Sequence, residues 1–380
     1  MTFADKHIHF VGIGGVSMNA LARLTELDGA TVSGSDLTVG NGHDADNIHA
    51  GLDSVVINGA ITDDNPELLR ARQLNIQIIE RAELLAQIEH RYANRIAVAG
   101  SHGKSTTTAM IGAVLTAGGL NPTVHNGAMP NLRVGGKEFF VTEACEFKRS
   151  FLHLSPTVAV ITNIDFDHVD CYKDIDDVRQ TFKQFTDKAP TVFYTDNVPD
   201  IDLELTVPGA HNIGNARLAA AVGLHFGVPL NIIKKALEEF KGIERRFEKI
   251  GEIGMCDLIT DYAHHPSEII TTIKTAQDLY GKSRFLIVFQ PHTYTRTLAL
   301  FDDFVQVLQT VPCALYRTFA SREKPVKGGS ALDLSRALRR RYFAGKDALR
   351  RYLVRMAGKY DAIILTGAGD VNKIITAKNI

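Results

Sequence analysis

"IAVAGSHGKSTTTAMIG", residues Ile96–Gly112, contains an apolar strand pattern, a glycine-containing turn and the start of a helix. Residues 103–105 match the end of the phosphate-loop pattern G-x-x-x-x-G-K-[ST], but Val98 stands where its first glycine belongs, and the nearest glycine is Gly100. A phosphate loop must follow a strand and open a helix, because the helix N-terminus offers free N–H groups and a positive dipole end to the phosphates. The stretch meets that condition. We therefore predict a shortened nucleotide loop, with an ordinary tight turn as the alternative.

Strand and helix patterns alternate along the whole chain of 380 residues, which is long enough for two or three domains. This alternation predicts α/β domains built on doubly wound parallel sheets. Changes in the pattern place the domain boundaries near residues 92 and 245, which gives domains at 1–92, 93–245 and 246–380. The first domain opens near "HIHFVGIGG", the second opens on "RIAVAG", and the third follows "GIERRFEKIGE".

The composition excludes several classes of function. A net charge of −1 gives no general attraction for nucleic acid or an anionic membrane, and no apolar run is long enough to cross a bilayer. The N-terminus lacks the regions of a signal peptide, and the four cysteines form no C-x-x-C pair. The one strongly basic segment, residues 336–359, is interpreted as a solvated helix face. We expect a cytoplasmic monomer or homodimer with small-molecule substrates and no nucleic-acid or membrane partner.

Two further strand ends carry polar groups. The strand in "FFVTEACE" ends at Glu143, and the loop after "VAVITN" carries His168 among acidic residues. Because ligands of open α/β sheets bind at the carboxyl ends of strands, we expect both groups to lie beside Lys104 and Ser105. A carboxylate and an imidazole there can ligate cations that bridge ATP and a substrate. Considered alone, Glu143 is more typical of a solvated strand end than of a ligand, and His168 is more typical of an ordinary loop histidine.

A second glycine-containing loop stands near the N-terminus. "GIGGVSM", residues 12–18, is an imperfect G-x-G-x-x-G pattern with Ser17 in place of the third glycine. Asp36 stands at the end of the following strand, where a ribose-binding acid would sit. On these residues alone, a nicotinamide dinucleotide site and a plain structural turn both remain open.

Several blocks together resemble one known family. The loop "GSHGKSTTTAMI" and the later blocks "VTEACEFKRSFL", "AVITNIDFDHVD", "PGAHNIGNARLAA", "GIERRFE", "TDYAHHPSEI", "VFQPHTYTRT" and "LTGAGDV" are similar to those of the Mur ligases, the ATP-dependent amide ligases of peptidoglycan precursor synthesis. The resemblance covers nearly the whole chain. It implies an α/β fold of three domains: a Rossmann-like N-terminal domain for a UDP-sugar, a P-loop ATPase-type central domain, and a Rossmann-like C-terminal domain for an amino acid.

The resemblance also implies a reaction. The blocks "HFVGIGG", "NPE", "DYAHHP" and "QPHTYTRT" are most similar to the branch that joins L-alanine to UDP-N-acetylmuramate. In that chemistry, ATP phosphorylates the lactyl carboxylate to an acyl phosphate, the amine attacks, and phosphate leaves. The attacking carboxylate and the triphosphate are both anions and repel each other. Lys104 and two Mg²⁺ ions are therefore needed to screen the charge. The implied cofactors are ATP and Mg²⁺.

Roles in the first two domains follow from the same resemblance. Ser105 and Glu143 would hold one Mg²⁺, and His168 would hold the other. The UDP diphosphate would bind at the first loop, with Asp36 near the uridine. The implied UDP-sugar contacts are Gly12, Gly14, Gly15 and Asp36, and the implied ATP contacts are Gly100, Ser101, His102, Gly103, Lys104, Ser105, Thr106, Asn212, Asn215, Arg246 and Asp261.

Roles in the third domain concern the nucleotide ribose and the amine substrate. The resemblance implies that His264 and His265 meet these groups, and that Arg296 binds the amino-acid carboxylate, which suits a guanidinium fork. The implied catalytic set is Lys104, His168, His265 and Arg296. Without the other blocks, the two histidines would be interpreted as a capped strand end before a helix, and Arg296 as a surface cation.

The chain also departs from the pattern that it resembles. Only "VPDIDLE" separates "TVFYTDN" from "LTVPGAHN", the first domain is shortened after Asp36, and Cys145 replaces an acid in "EACE". We expect Cys145 to be a small neutral residue rather than a reactive thiol. These departures keep open a ligase for another acid or amine, for example one that recycles tripeptides. A non-catalytic nucleotide-binding regulator is a further alternative, and a nicotinamide-dependent dehydrogenase rests only on "GIGGVSM" and Asp36.

Overall fold

The computed structural model describes residues 3–39, 42–166, 171–321 and 323–375. In these residues the chain forms three sheets, each flanked by helices, so the predicted α/β class is confirmed. The chain divides into two compact units: residues 1–206 with 213–240, and residues 207–212 with 241–380. The first two sheets therefore share one unit. No described helix is long and apolar enough to span a membrane.

The first sheet is parallel and has the strand order β2-β1-β3-β4. It forms because apolar residues of the central strand, such as Phe10 and Val11, are fully buried, as are Met18 and Leu21 on the first helix. The carboxyl end of β1 leads directly into the first glycine loop. The elements are β1 (His7–Val11), α1 (Val16–Leu27), β2 (Thr31–Ser35), β3 (Ser54–Ile57), α2 (Pro66–Gln73), β4 (Gln77–Glu80) and α3 (Arg81–Glu89).

The second sheet has the order β10-β9-β5-β8-β6-β7, in which only the β6–β7 pair is antiparallel among the described pairings. The strand before the phosphate loop is flanked by β8 and β9, with Val98 paired to Glu143. Residues 195–209, where the sequence looks shortened, contain no helix or strand. The elements are β5 (Asn94–Ala99), α4 (Lys104–Ala117), β6 (Thr123–His125), β7 (Leu132–Arg133), β8 (Phe139–Glu143), β9 (Val158–Ile161), α5 (Ile175–Thr186), β10 (Thr191–Tyr194), α6 (Ala210–His225) and α7 (Leu230–Glu238).

The third sheet has the order β11-β12-β16-β13-β14-β15, with an antiparallel first strand and parallel pairing elsewhere. Its basic segment forms β15 and α12, where Leu349 and Leu353 are buried and most arginines are exposed, as expected for a solvated helix face. The elements are β11 (Glu248–Ile253), β12 (Cys256–Asp261), α8 (Pro266–Tyr280), β13 (Phe285–Phe289), α9 (Tyr294–Ala299), α10 (Phe301–Leu308), β14 (Cys313–Tyr316), α11 (Ala331–Leu338), β15 (Arg341–Phe343), α12 (Lys346–Ala357) and β16 (Ala362–Thr366).

Candidate active site

The phosphate loop, residues 100–105, lies at the carboxyl end of β5 and opens α4. Gly103 is the residue before the helix, and its φ of 83° lies in the left-handed region that favours glycine. A Cβ at Gly103 would lie 2.7 Å from Asn215 Oδ1, and a Cβ at Gly100 would lie 2.0 Å from Thr162 Oγ1. Both glycines are therefore sterically required in this shortened loop, although Val98 replaces the first glycine of the longer pattern.

Lys104 is held over this loop by main-chain and side-chain oxygens. Its Nζ donates to Gly100 O (2.6 Å) and Ser101 O (3.2 Å), and it forms an ion pair with Glu146 Oε2 at 3.0 Å. Burial alone would lower the pKa of Lys104, but the attraction of Glu146 and of neighbouring acidic groups holds that pKa above its usual value. The lysine is thus a fixed positive charge at the point where phosphates would bind.

The predicted metal-binding oxygens lie side by side at the same sheet edge. Ser105 Oγ donates to Glu143 Oε2 at 2.7 Å, and Gly127 N donates to the same oxygen at 3.0 Å. Asn126 Nδ2 fixes the start of α4 by donating to Ser105 O at 3.0 Å. A hydroxyl and a carboxylate oxygen at the mouth of a phosphate loop are the ligands that Mg²⁺ prefers, so these residues fit a magnesium ion.

The third predicted ligand, His168, lies outside the described residues. Among the residues that are described, no three His, Cys, Asp or Glu side chains form a group that could hold a metal ion. The Ser105–Glu143 contact is therefore the part of the predicted metal site that can be described.

The remaining loop residues are tied to the strand end of β9. His102 N donates to Asn163 Oδ1 at 2.9 Å, and Ser101 Oγ donates to Asp165 O at 3.1 Å. Thr106 is buried in the first turn of α4. Burial raises the pKa of the nearby Cys145 thiol to about 11, and the charge of Glu146 adds to the effect. Cys145 is therefore neutral at pH 7, as expected.

The first glycine loop, residues 12–17, is closed by Asp36. Gly14 N donates to Asp36 Oδ2 at 3.1 Å, and a Cβ at Gly14 would lie 2.9 Å from Asp36 Cγ. Burial opposes ionisation of Asp36, but hydrogen bonds from Thr38 and from Gly14 N lower its pKa overall. Gly15 precedes α1 as its N-cap. In the structure, Asp36 therefore stabilises the backbone of this loop through the hydrogen bond from Gly14 N.

A hydrogen-bonded connection that the sequence did not predict joins this loop to the second sheet. Ser17 Oγ lies 3.0 Å from His125 Nε2, and His125 Nδ1 lies 2.8 Å from Thr142 Oγ1. Arg81 Nη1 donates to Ser17 Oγ at 3.2 Å. Burial, with a smaller effect of Arg81, lowers the pKa of His125 to about 3, so the ring is neutral. Thr142 precedes Glu143, so the connection ends one residue from the carboxylate that is predicted to bind Mg²⁺.

In the second unit, Asp261 lies at the carboxyl end of β12. It accepts hydrogen bonds from Ala263 N (2.7 Å) and Phe247 N (2.9 Å). Burial raises the pKa of Asp261 to about 6, although Arg246 and these hydrogen bonds act in the opposite direction. The Arg246 guanidinium lies 5.4 Å from the centre of the Tyr262 ring. Asp261 and Arg246 thus lie close enough for their charges to interact, and their roles in ATP binding stay predictions.

The two histidines after β12 have different contacts. His265 caps α8: its Nδ1 accepts from Ser267 N at 3.4 Å, as the capped-strand interpretation predicts. His264 Nδ1 lies 3.0 Å from Tyr262 O, and its ring centre lies 5.7 Å from that of His292. Burial lowers the pKa of His264, and Arg296 acts in the same direction.

Arg296 lies on α9. Burial lowers the pKa of His292 to about 4, and the charges of His264 and Arg296 act in the same direction. His264, His292 and Arg296 therefore form one cluster at the carboxyl ends of β12 and β13. The sequence analysis did not single out His292, although it belongs to the block "QPHTYTRT" that carries Arg296.

The two predicted asparagines belong to different units. Asn215 lies in the first unit above Gly103, whereas Asn212 lies in the second unit, where its Nδ2 donates to Pro208 O at 2.7 Å. Their shared role in adenine binding stays a prediction.

A strand–loop–helix phosphate site, a second glycine loop and a histidine–arginine cluster, each at a sheet edge, define an α/β enzyme that binds nucleotides. Three family descriptions match the chain: "Mur ligase family, catalytic domain" at residues 7–93, "Mur ligase middle domain" at 98–198, and "Mur ligase, glutamate ligase domain" at 245–369. The chain belongs to the Mur ligase family.

Individual relatives span nearly the whole chain. It is 36% identical to a UDP-N-acetylmuramate–L-alanine ligase of Agathobacter rectalis, over 97% of this chain and 96% of that protein. It is 37% identical to the enzyme of the same name from Caldicellulosiruptor bescii, over 96% of each. The first of these alignments spans 443 positions, so that relative has segments with no counterpart here.

Among solved structures, the UDP-N-acetylmuramate-alanine ligase from Thermotoga maritima matches with a TM-score of 0.82 and 26% identity, over 97% of each chain. A similarity of this extent supports the same three-domain α/β fold along the chain.

Proposed function

We propose that this chain joins the lactyl carboxyl group of UDP-N-acetylmuramate to the amine of L-alanine with hydrolysis of ATP. The relatives that match it over nearly their full length carry that name. The observation that carries the proposal is the convergence of Lys104, Ser105 and Glu143 at the carboxyl ends of β5 and β8. That arrangement suits transfer of a phosphoryl group to a carboxylate.

Lys104, Ser105 and Glu143 would have distinct roles in the first step. The carboxylate oxygen of the acid substrate attacks the γ-phosphorus of ATP, and ADP leaves with the electron pair of the broken bond. Negative charge accumulates around the transferred group, and Lys104 Nζ is positioned to compensate it. Ser105 Oγ and Glu143 would hold Mg²⁺, which supplies further charge compensation when bound.

The second step forms the amide. The amine of L-alanine attacks the acyl carbon, the tetrahedral intermediate collapses, and phosphate leaves. Arg296 would bind the carboxylate of the amino acid, because a guanidinium can donate two parallel hydrogen bonds to it. His264 and His265 would lie near the amine, and a neutral His264 would suit a neighbouring ammonium group that must lose a proton.

The other proposed contacts complete the assignment. Asp261 and Arg246 would meet the nucleotide ribose and phosphates, Asn212 and Asn215 would contact adenine or position the site, and His168 would hold a second Mg²⁺. The first glycine loop would bind the UDP diphosphate rather than a nicotinamide dinucleotide. The predicted domains at 1–92, 93–245 and 246–380 would then correspond to the UDP-sugar, ATP and amino-acid functions.

The test measures phosphate release from ATP and Mg²⁺ in the presence of UDP-N-acetylmuramate, with and without L-alanine. Release that requires both substrates supports the proposal. Release that occurs with UDP-N-acetylmuramate and some other amino acid, but not with L-alanine, would overturn the L-alanine assignment. No release with any amine, while ATP still binds, would overturn the assignment as a ligase.

One observation favours a second candidate, a ligase for a larger amine. A cavity of about 500 Å³ adjoins α9, and Arg317, Phe319 and Tyr342 are among the residues that line it. The depression is open to solvent and larger than alanine, so part of a peptide could extend into it. L-Ala-γ-D-Glu-diaminopimelate should replace L-alanine in the same assay if the second candidate is right, and it should fail to do so if L-alanine is the substrate.

A further inference from the structure

The segment after Glu146 carries an exposed lysine on an unusual backbone. Lys148 and Arg149 have φ values of 51° and 55°, so two consecutive residues other than glycine adopt the left-handed conformation. Arg149 fixes this turn, since its Nη2 donates to both carboxylate oxygens of Asp177 at 2.8 and 2.9 Å and its Nη1 donates to Thr181 Oγ1 at 2.7 Å. Such conformations persist only where surrounding contacts impose them, and they cluster at functional sites.

The turn directs Lys148 toward the first glycine loop. Lys148 Nζ donates to Gly59 O at 3.2 Å, in the turn after β3. The neighbouring Asn58 approaches the loop itself, because a Cβ at Gly12 would lie 3.0 Å from Asn58 Nδ2. Lys148 thus reaches from the second sheet to the wall of the first glycine loop.

The same lysine is close in sequence to the phosphate loop's partners. Glu143, which contacts Ser105, precedes it by only five positions, and Glu146, which pairs with Lys104, precedes it by two. The segment that carries Lys148 therefore contacts the phosphate loop through Glu143 and Glu146 and the wall of the first glycine loop through Lys148, all within the first unit. An acid substrate that extends from one loop to the other would pass it.

Lys148 has no acidic partner in the described part of the chain. Its contacts there are the Gly59 carbonyl and the face of the Phe147 ring, 5.8 Å from the ring centre. Some other exposed lysines do have an acidic partner, as in the pair between Lys183 and Asp187 at 2.7 Å. Because no acidic side chain of the described residues pairs with it, the Lys148 ammonium group can attract an anion from solution.

We infer that Lys148 binds an anionic oxygen of the acid substrate, either of its diphosphate or of its lactyl carboxylate. The inference rests on the proposed function and adds a substrate-contacting residue on the second sheet. On binding, Nζ exchanges the neutral Gly59 carbonyl for a charged oxygen, which forms the stronger hydrogen bond.

The experiment measures binding of UDP-N-acetylmuramate and of UDP-N-acetylglucosamine by calorimetry, without ATP, to the full chain and its variants. UDP-N-acetylglucosamine has the same diphosphate but no lactyl carboxylate. We expect Lys148→Met to weaken binding of UDP-N-acetylmuramate about tenfold, the loss typical of a hydrogen bond to a charged group. Lys148→Arg should restore most of the affinity, and the salt dependence of binding should become less steep in Lys148→Met.

The matched control is Lys188→Met. Lys188 is also exposed and also donates to a main-chain carbonyl, that of Leu152, but it precedes β10 and so lies at the amino-terminal edge of the second sheet. This variant should bind both ligands as the wild type does. Melting temperatures equal to that of the wild type would show that neither change destabilises the protein.

The outcomes distinguish which group of the substrate, the diphosphate or the lactyl carboxylate, supplies the anionic oxygen. Weakened binding of both ligands assigns Lys148 to the diphosphate, and weakened binding of UDP-N-acetylmuramate alone assigns it to the carboxylate. Unchanged binding of both overturns the inference while leaving the proposed function intact. A wild-type chain that binds neither ligand would instead contradict the proposed function itself, and the inference with it.

Discussion

The two glycine loops of the first unit share a backbone design and differ in their charges. Each follows a strand with a parallel neighbour on both sides, β1 between β2 and β3 and β5 between β8 and β9. Each also opens a helix and contains a glycine with positive φ, Gly12 at 84° and Gly103 at 83°. Both loops can therefore present main-chain N–H groups to a phosphate.

The side chains around the two loops separate their functions. The first loop has no lysine or arginine of its own, and Asp36 accepts from Gly14 N. The phosphate loop contains Lys104, whose charge is balanced by Glu146, and Ser105 in contact with Glu143. The difference indicates that the phosphate loop itself carries the fixed charge that transfer of a phosphoryl group requires, whereas residues 12–17 themselves contribute no cationic side chain.

The largest effect is expected from Lys104→Ala. Loss of the charge at the phosphate loop should reduce ATP turnover about a thousandfold, because an electrostatic contact aimed at the transition state is removed. Binding of UDP-N-acetylmuramate at the first loop should not change. Phosphate release and calorimetry on the same preparation measure the two effects.

The control for Lys104→Ala addresses folding. Removal of the lysine leaves Glu146 buried without its cation, and this alone can destabilise the protein. The double variant Lys104→Met with Glu146→Gln removes both charges and should be as inactive but more stable. Normal turnover in either variant would refute the phosphate-loop assignment and the contrast between the loops.

A smaller effect is expected from Glu143→Gln. The amide can still accept from Ser105 Oγ, so the local structure should survive, but the negative charge that attracts Mg²⁺ is lost. We expect turnover to fall about a hundredfold at low Mg²⁺ and to recover in part as Mg²⁺ is raised. The quantity to measure is the Mg²⁺ concentration that gives half-maximal phosphate release. An unchanged value would show that Glu143 is a structural partner of Ser105 and Gly127.

The sequence predicted the features that depend on local pattern. Strand and helix periodicity is local, so the α/β class and the position of the phosphate loop followed from it. The approach of Glu143 to Ser105 was predicted because parallel strands end at one sheet edge, and β5 and β8 are neighbours.

The features that escaped prediction depend on contacts between distant segments. Ser17 and His125 are 108 residues apart, and only the missing third glycine marked Ser17 as unusual. The left-handed backbone at Lys148 is imposed by the pairing of Arg149 with Asp177, 28 residues later. The reversed strands β7 and β11 likewise follow from pairing geometry, which hydrophobic patterns do not specify.

Gly14→Ala should affect the first loop alone. Its Cβ would lie 2.9 Å from Asp36 Cγ, and Asp36 is held by hydrogen bonds from Gly14 N and Thr38. We expect the KM for UDP-N-acetylmuramate to rise about tenfold with an unchanged KM for ATP, as moderate overpacking would produce. Gly358→Ala is the matched control, since Gly358 lies outside every proposed site and its Cβ would meet no described atom within 4 Å. Equal effects of the two changes would show that the Asp36 contact is unimportant.

Beneath the first loop, Glu67 is a buried carboxylate that balances no lysine, unlike Glu146. Ser35 Oγ and Asn47 Nδ2 each donate to it at 2.6 Å. Burial alone would raise the pKa of Glu67, but hydrogen bonds from His9, Ser35 and Asn47 bring it to about 2. Because the folded pKa is depressed, the stabilisation is complete above the unfolded value near 4.5 and is lost as the pH falls toward 2.

Glu67→Gln should therefore change stability rather than chemistry. The amide presents a donor where the carboxylate accepted, so we expect about 2 kcal/mol less stability at pH 7, and the difference from wild type should shrink between pH 4.5 and 2. Denaturant unfolding across that range measures it. Turnover per folded molecule should stay near the wild-type value, whereas Glu146→Gln should lower it by releasing Lys104. If Glu67→Gln impaired turnover as strongly as Glu146→Gln, charge near the first glycine loop would take part in catalysis. The proposed contrast, in which only the phosphate loop supplies catalytic charge, would then be wrong.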